Sequence, residues 1–275
     1  MTPEGIAAGF HQGANAVKGY MQNSAEPMLR LLLSPTNTER CLGVLFDRSL
    51  CWMLSLERLN NAQDFQAVAA CVRSLLESTV DVILLCHDQS GESAERMVDW
   101  ATSSKFKHCE LAMKFYSDQG KCLPDEHQPM KAFFDQHLTI VPALRAKHWS
   151  AIHPPRWTGR NLANDCKEAD ALEPTFIGAE LEMSLAELYE SQIRRLNWNV
   201  HGSGLAGVQN VPAAAFYLSC ALGYKWSADL AMLTTKLILR DTGFASVSAE
   251  IGRKWDEIRS TRLAAATAEM RRAVS

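Results

Sequence analysis

The positions of proline constrain this chain more than any other feature of its sequence. The 275 residues contain ten prolines and fifteen glycines. Proline is absent from residues 36–123, from 175–211 and from 213 to the end. Because a β-rich fold of this size needs many turn residues, these long proline-free runs favour long helices. We therefore predict an all-α fold.

Composition and charge indicate a globular chain. Hydrophobic residues make up 47% of it, and 28 basic against 31 acidic residues give a formal net charge of −3. These values exclude a disordered chain and a generally basic nucleic-acid binder, because affinity for nucleic acid comes largely from phosphate neutralisation. No run approaches the ~18 apolar residues that span a bilayer, and residues 1–12 lack the features of a secretory signal. We expect a cytoplasmic protein without a membrane partner.

The cysteines give no sign of a metal or redox site. None of the eight forms a Cys-x-x-Cys pair, so we expect reduced and mostly buried thiols. The sequence also lacks a Gly-rich phosphate loop, a Ser–His–Asp signal and a clear metal-ligand spacing. We therefore expect neither a metal nor another cofactor.

Apolar residues recur at helical spacing along most of the chain. We predict a single domain over 1–275, a helical bundle of about eight helices. It has an N-terminal helical extension at 1–34, a core at 36–240 and a C-terminal helix at 246–275. The main irregular region is expected at 142–161, which contains three prolines and a glycine.

One predicted helix, at 64–87, carries charges on an otherwise apolar surface. Arg73, Glu77 and Asp81 lie at i, i+4 and i+8 and therefore share one face. Because an unpaired buried charge is very costly, these groups need partners. Either they form an internal ion pair at a narrow solvated edge, or they contribute to a site inside the bundle.

A second predicted helix, at 184–201, has four polar residues along one side. Glu190, Arg194, Asn197 and His201 lie at i, i+4, i+7 and i+11. His201 precedes a glycine at the helix C-terminus, where the helix dipole favours the protonated imidazolium. A cationic His beside an Arg suits an anionic phosphate, whereas the alternative is a histidine that caps the terminal carbonyls.

Three runs of residues resemble the hallmarks of a bacterial family of uncharacterised proteins. They are residues 189–203 (YESQIRRLNWNVHGS), residues 73–77 (RSLLE) and residues 157–159 (WTG), and they occur in the family's order. Ile193 stands where the family usually has Tyr, and Asn197 stands where it usually has Ser. That family is similar in turn to HEPN domains, which are helical bundles. Many HEPN proteins are metal-independent ribonucleases with an Arg-x(4–6)-His signature.

The resemblance implies cleavage of RNA by an arginine–histidine pair. Both Arg194 and Arg195 fit the signature with His201, but on an ideal helix Arg194 lies within ~20° of His201 and Arg195 lies ~120° away. Arg194 would stabilise the phosphate while His201 acts as acid or base, and Asn197 would orient His201 or the substrate. By the same resemblance, Arg73 and Glu77 would hold the site in place. Two such sites would meet in a homodimer, in a phage-defence or toxin system.

Residues 142–161 form the most basic stretch of the chain and contain no acid. Basic residues interleaved with aromatic ones suit single-stranded RNA, through phosphate contacts and base stacking. The candidate substrate-binding residues here are Arg145, Lys147, Trp157 and Arg160. The alternative is a surface loop anchored by buried tryptophans.

Two other functions remain open from the sequence. The first is a noncatalytic nucleotide- or protein-binding helical module in which the Arg, His and Glu residues are structural. The second is an enzyme of another class whose site uses Glu77 and His201.

Overall fold

The structure of the protein, a computed structural model, describes residues 1–32, 35–150, 154–194 and 213–274. Within these ranges the chain contains helices and connections and no strand, so the predicted all-α class is confirmed. None of the described helices combines the length and hydrophobicity needed to cross a membrane. Contacts divide the chain into two compact units, residues 1–89 with 166–275 and residues 90–165. The single domain over 1–275 stays a prediction.

The structure describes thirteen α-helices within these ranges. In chain order they are α1 Pro3–Tyr20, α2 Glu26–Leu29, α3 Asn37–Leu56, α4 Phe65–Cys86, α5 Glu92–Asp118, α6 Gln128–His137, α7 Ile140–His148, α8 Leu162–Leu172, α9 Pro174–Leu181, α10 Leu185–Leu188, α11 Ala213–Asp241, α12 Ala245–Thr261 and α13 Ala264–Val274. A π-helical segment, Met21–Ala25, joins α1 to α2, and a second one, Tyr189–Ile193, follows α10.

Side chains cap the first turns of α1 and α3. The Thr2 hydroxyl accepts from the backbone N–H of Gly5, and Pro3 occupies the first turn of α1. Thr36 and Glu39 form a reciprocal capping box at the start of α3. These caps satisfy N–H groups that the helix itself leaves without partners.

The centre of the first unit is α11, which packs against α1, α3, α4 and α12. Nearly every residue of α11 between 220 and 239 is buried. The second half of α4 is buried as well, as its continuous apolar run predicts. Inside this contact the hydroxyls of Thr79 and Thr234 lie 2.8 Å apart and hydrogen-bond to each other. These two buried hydroxyls thus satisfy each other, as burial requires.

The α4–α11 contact depends on a glycine. A Cβ atom on Gly223 would lie 2.3 Å from Cγ1 of Val68, a distance that real Cβ atoms do not show. Gly223 therefore lets the backbone of α11 approach α4 more closely than any other residue would allow.

In the second unit, α5 packs against α6 and α7. The rings of Phe106 and Phe134 stack with their centroids 4.6 Å apart. Pro154, which follows α7 in the chain, is held against α5 by a hydrogen bond. Its carbonyl accepts from the indole N–H of Trp100 at 3.3 Å.

The structure differs from the expected helix pattern in two places. Residues 142–148, expected to be irregular, belong to α7, because Pro142 falls in the first turn, where a missing N–H costs nothing. The expected single C-terminal helix at 246–275 is two helices, α12 and α13. The chain bends between them, and Leu263 at the bend is buried.

We expect Gly223→Ala to lower the free energy of unfolding by about 1–3 kcal/mol, because the added methyl overpacks the α4–α11 contact. Gly43→Ala is the matched control. Gly43 lies inside α3 with open space around its Cβ position, so alanine should raise stability by about 0.5–1 kcal/mol. Urea unfolding of both variants measures the difference. Equal stability of the two variants would contradict the close approach.

Candidate functional site

The charged face of α4 forms an ion-pair cluster at the edge of the first unit. Arg73 Nε donates to Oε1 of Glu77 at 3.1 Å, and a guanidinium nitrogen of Arg48, from α3, lies 3.5 Å from Oε2. Both arginines keep exposed edges, whereas Asp81, one turn further on, is buried and has an interaction partner. This arrangement is what the internal ion-pair interpretation expects, and a catalytic role for Arg73 and Glu77 stays a prediction.

Arg194 lies on the exposed surface directly after the second π-helical segment. Its Nη1 donates to Oε2 of Glu190 at 2.6 Å, and its side chain is 64% exposed. The hydrogen bond and charge of Glu190 raise the pKa of the guanidinium, which therefore stays protonated. The segment that positions Arg194 contacts α4, the helix that carries Arg73 and Glu77.

The π-helical segment changes the register of this helix. Leu188 and Ile193 are both fully buried although they are five residues apart. In a continuous α-helix such residues would lie ~140° apart, whereas the i→i+5 bonding of a π-helix brings them onto one face. Tyr189, the first residue of the π-helical segment, is only half-buried.

Three of the candidate catalytic residues lie outside the described residues. They are Arg195, Asn197 and His201. The pairing of Arg194 or Arg195 with His201 therefore stays a prediction.

Two of the candidate RNA-binding residues in the second unit are engaged by α5. Arg145 donates from Nε to the hydroxyl of Ser103 at 2.7 Å and from Nη2 to the Ser103 carbonyl at 3.3 Å. Lys147 Nζ lies 2.5 Å from Oε1 of Glu95. The acids that are missing from residues 142–161 are thus supplied by a neighbouring helix.

The other two candidates belong to a loop built around a buried carboxylate. Asp165 has no exposed surface. Its oxygens accept from Arg156 Nε at 2.7 Å, from Arg160 Nε at 2.9 Å and from the hydroxyl of Thr158 at 2.9 Å. Trp157 is buried, and its carbonyl accepts from the indole of Trp149 at 2.9 Å. This geometry matches the anchored-loop interpretation, while binding of RNA by Trp157 and Arg160 stays a prediction.

One group of side chains in the second unit could hold a metal ion. Potential ligand atoms of Glu95, Asp99 and His148 lie within 4.8 Å of one another. The sequence gives no such signal, because His148 belongs to α7 and lies 49 residues beyond Asp99. Here His148 Nε2 is 2.8 Å from Oδ2 of Asp99, and Lys147 lowers the pKa of Glu95. Lys147 thus already compensates Glu95, and Asp99 already has a side-chain partner.

The first unit contains a cleft of about 300 Å³ that sequence reasoning missed. It opens between α1, α11, α12 and α13. Because these helices are far apart in the sequence, no short motif indicates the cleft. Its apolar wall consists of Phe10, Ala228, Trp255, Leu263, Ala264 and Ala268. Its charged residues are Glu182, Lys225, Asp229, Arg259 and Arg271.

The charges in the cleft are not equally engaged. Lys225 Nζ lies 2.9 Å from Oδ2 of the buried Asp229, so the charges of these two side chains compensate each other. Arg271 Nη2 donates to Oε2 of Glu182 at 3.1 Å. Arg259 is held more loosely, because the carboxylate oxygens of Glu180, Glu182 and Asp256 lie 3.8–3.9 Å from it, beyond hydrogen-bond reach.

Two further observations distinguish this cleft. Glu182 has a φ of 60°, the left-handed conformation, and no other non-glycine residue among those described has a positive φ. Glu182 is the C-cap of α9, a position where helices commonly end in this conformation, although usually with glycine. Trp255 is 1% exposed, and its indole N–H has no hydrogen-bond partner in the described part of the chain.

We expect Asp165→Asn to destabilise the protein by about 3–5 kcal/mol, because it leaves Arg156 and Arg160 facing an uncharged group at a buried position. Asp135→Asn in the same unit is the control. Its ion pair with Lys131 is exposed, so the change should stay within about 1 kcal/mol. Urea unfolding gives both values. Similar effects of the two substitutions would contradict the anchoring role of Asp165.

The strain at Glu182 can be measured with two variants that both remove the carboxylate. We expect Glu182→Gly to be more stable than Glu182→Ala by about 1 kcal/mol, because glycine adopts a left-handed φ without a Cβ clash. Thermal and urea unfolding of both variants compare them directly. A more stable alanine variant would show that this backbone is not left-handed in solution.

Comparison with protein-family models, with curated proteins and with solved structures finds no match to this chain. The resemblance to the HEPN-like bacterial family therefore stays a prediction based on residues 73–77, 157–159 and 189–203.

Proposed function

We propose that this chain is a HEPN-like RNA endonuclease that cleaves phosphodiester bonds without a metal ion, using Arg194 and His201. The observation that supports the proposal most directly is the exposure of Arg194. Its guanidinium is 64% exposed and is held only by the exposed carboxylate of Glu190. An exposed ion pair of this kind contributes about 0–1 kcal/mol, so a phosphate can replace Glu190 at little cost.

The chemistry divides between two side chains. Arg194 presents planar donors to the scissile phosphate and stabilises the charge that develops there. His201 takes the proton from the ribose 2′-hydroxyl or gives one to the leaving oxygen. Asn197 orients His201 or the substrate. Arg195 is the alternative candidate for the role of Arg194. Glu77, held by Arg73 and Arg48, supports the site from α4 and does not touch RNA.

In the basic stretch, the proposal gives different roles to different residues. Arg145 and Trp157 hold the polypeptide in place through the Ser103 and Trp149 contacts. Lys147 and Arg160 keep exposed edges that RNA phosphates can reach. The protein acts in the cytoplasm as a homodimer, in a defence or toxin system.

A noncatalytic binding module is the second candidate function. It is favoured by the Arg48–Glu77–Arg73 cluster, in which the hallmark Arg and Glu bind each other and a third residue of the fold. In this function the hallmark residues stabilise the bundle, and the protein binds a nucleotide or another protein without cleaving RNA.

Incubation of the purified protein with a mixed RNA pool, with EDTA present, distinguishes the two. We expect cleavage by the wild type and a loss of about 100-fold or more in both His201→Ala and Arg194→Ala. Arg30→Ala is the matched control, because Arg30 is an equally exposed arginine in an i,i+4 pair with Glu26. It should cleave like the wild type.

Cleavage that persists in His201→Ala would contradict the mechanism. If the wild type does not cleave RNA, the binding module replaces the nuclease. Circular dichroism of each variant confirms that the fold is intact.

A further inference from the structure

We propose that the cleft between α1, α11, α12 and α13 binds a small organic monocarboxylate with an aromatic or aliphatic body. This site is separate from Arg194 and does not depend on RNA cleavage. A volume of about 300 Å³ is at the lower end of the range for ligand pockets and suits a small molecule.

The apolar residues of the cleft favour a ligand whose body is apolar. Phe10, Trp255 and Leu263 are almost completely buried, and the space they border lies against Ala264 and Ala268, whose small side chains leave the entrance open. Apolar surface that a ligand covers here is removed from water, at about 25 cal/mol per Å².

The ion pairs of the lining determine which cation a ligand can reach. Asp229 pairs with Lys225 at 2.9 Å, and Glu182 pairs with Arg271 at 3.1 Å. Arg259, the third cation of the lining, has only carboxylates at longer distances. A carboxylate on the ligand can therefore compete for Arg259.

Arg259 is the residue that would bind this charge. Its three nearest carboxylates lie at 3.8–3.9 Å, and two of them are compensated elsewhere, Glu180 by Lys236 and Glu182 by Arg271. The third, Asp256, is 69% exposed and therefore well solvated. A guanidinium with only loose partners can form the bidentate hydrogen bonds that a carboxylate accepts.

The buried indole N–H of Trp255 gives a second, independent indication of a ligand. A buried donor without a partner costs free energy comparable to a lost hydrogen bond. Trp255 lines the cleft, so an acceptor on the ligand can satisfy this N–H while the carboxylate binds Arg259.

Isothermal titration of the full chain with indole-3-acetate, phenylacetate and octanoate tests the proposal. Each acid is compared with its uncharged amide. We expect at least one acid to bind and its amide to bind about tenfold more weakly or worse, because a hydrogen bond to a charged group is lost. Arg259→Gln should weaken the acid by a similar factor and leave the amide unchanged.

A second pair of variants tests where the ligand binds and changes no charged residue. Ala268→Trp adds an indole at the mouth of the cleft and should abolish binding. Ala265→Trp, on the same helix and equally exposed but outside the cleft, should bind like the wild type. Failure of all three acids to bind at millimolar concentration would overturn the proposal. So would equal affinity for acid and amide, or unchanged binding by Ala268→Trp.

Discussion

The close contact between α4 and α11 is the interaction on which the first unit depends. Gly223 removes the Cβ that would meet Val68, and the hydroxyls of Thr79 and Thr234 bind each other inside the contact. With this pair fixed, α1, α3 and α12 pack around α11. The Arg73–Glu77 face lies on α4, and α11 contributes Lys225, Ala228 and Asp229 to the cleft. Each helix of this pair therefore carries residues of one candidate region.

The partners of each charged side chain indicate whether its role is structural. Asp165, Asp229 and Glu180 are buried, and each has a cation within hydrogen-bond distance, because a buried charge without a partner would destabilise the fold severely. Cations that serve buried acids have a structural role. Arg194 and Arg259 differ from them in degree, since Arg194 faces only an exposed acid, and Arg259 lies 3.9 Å from the buried Glu180 and has no partner within 3.5 Å among the described residues. These two arginines differ from the others in having guanidinium N–H groups available for a ligand, and not in having a positive charge.

The sequence predicts the local features of this fold well and the tertiary ones poorly. Caps at Thr2 and Thr36 and the buried half of α4 follow from residue order alone. The bend before α13 does not, because it depends on Leu263 packing against Gly13 of α1, 250 residues earlier. The partners of the basic stretch were likewise hidden, since Glu95 and Asp99 are on α5. The cleft draws its lining from five separate parts of the chain, so no local pattern could indicate it.

The proposed nuclease requires Arg194 and His201 to act on one phosphate as a unit. A double-mutant cycle on RNA cleavage, with Arg194→Ala, His201→Ala and the combined variant, measures whether they do. Residues that act as a unit are strongly non-additive, so we expect the combined variant to cleave no more slowly than the slower single variant. Rate losses that multiply in the combined variant would show two independent roles and contradict the shared site.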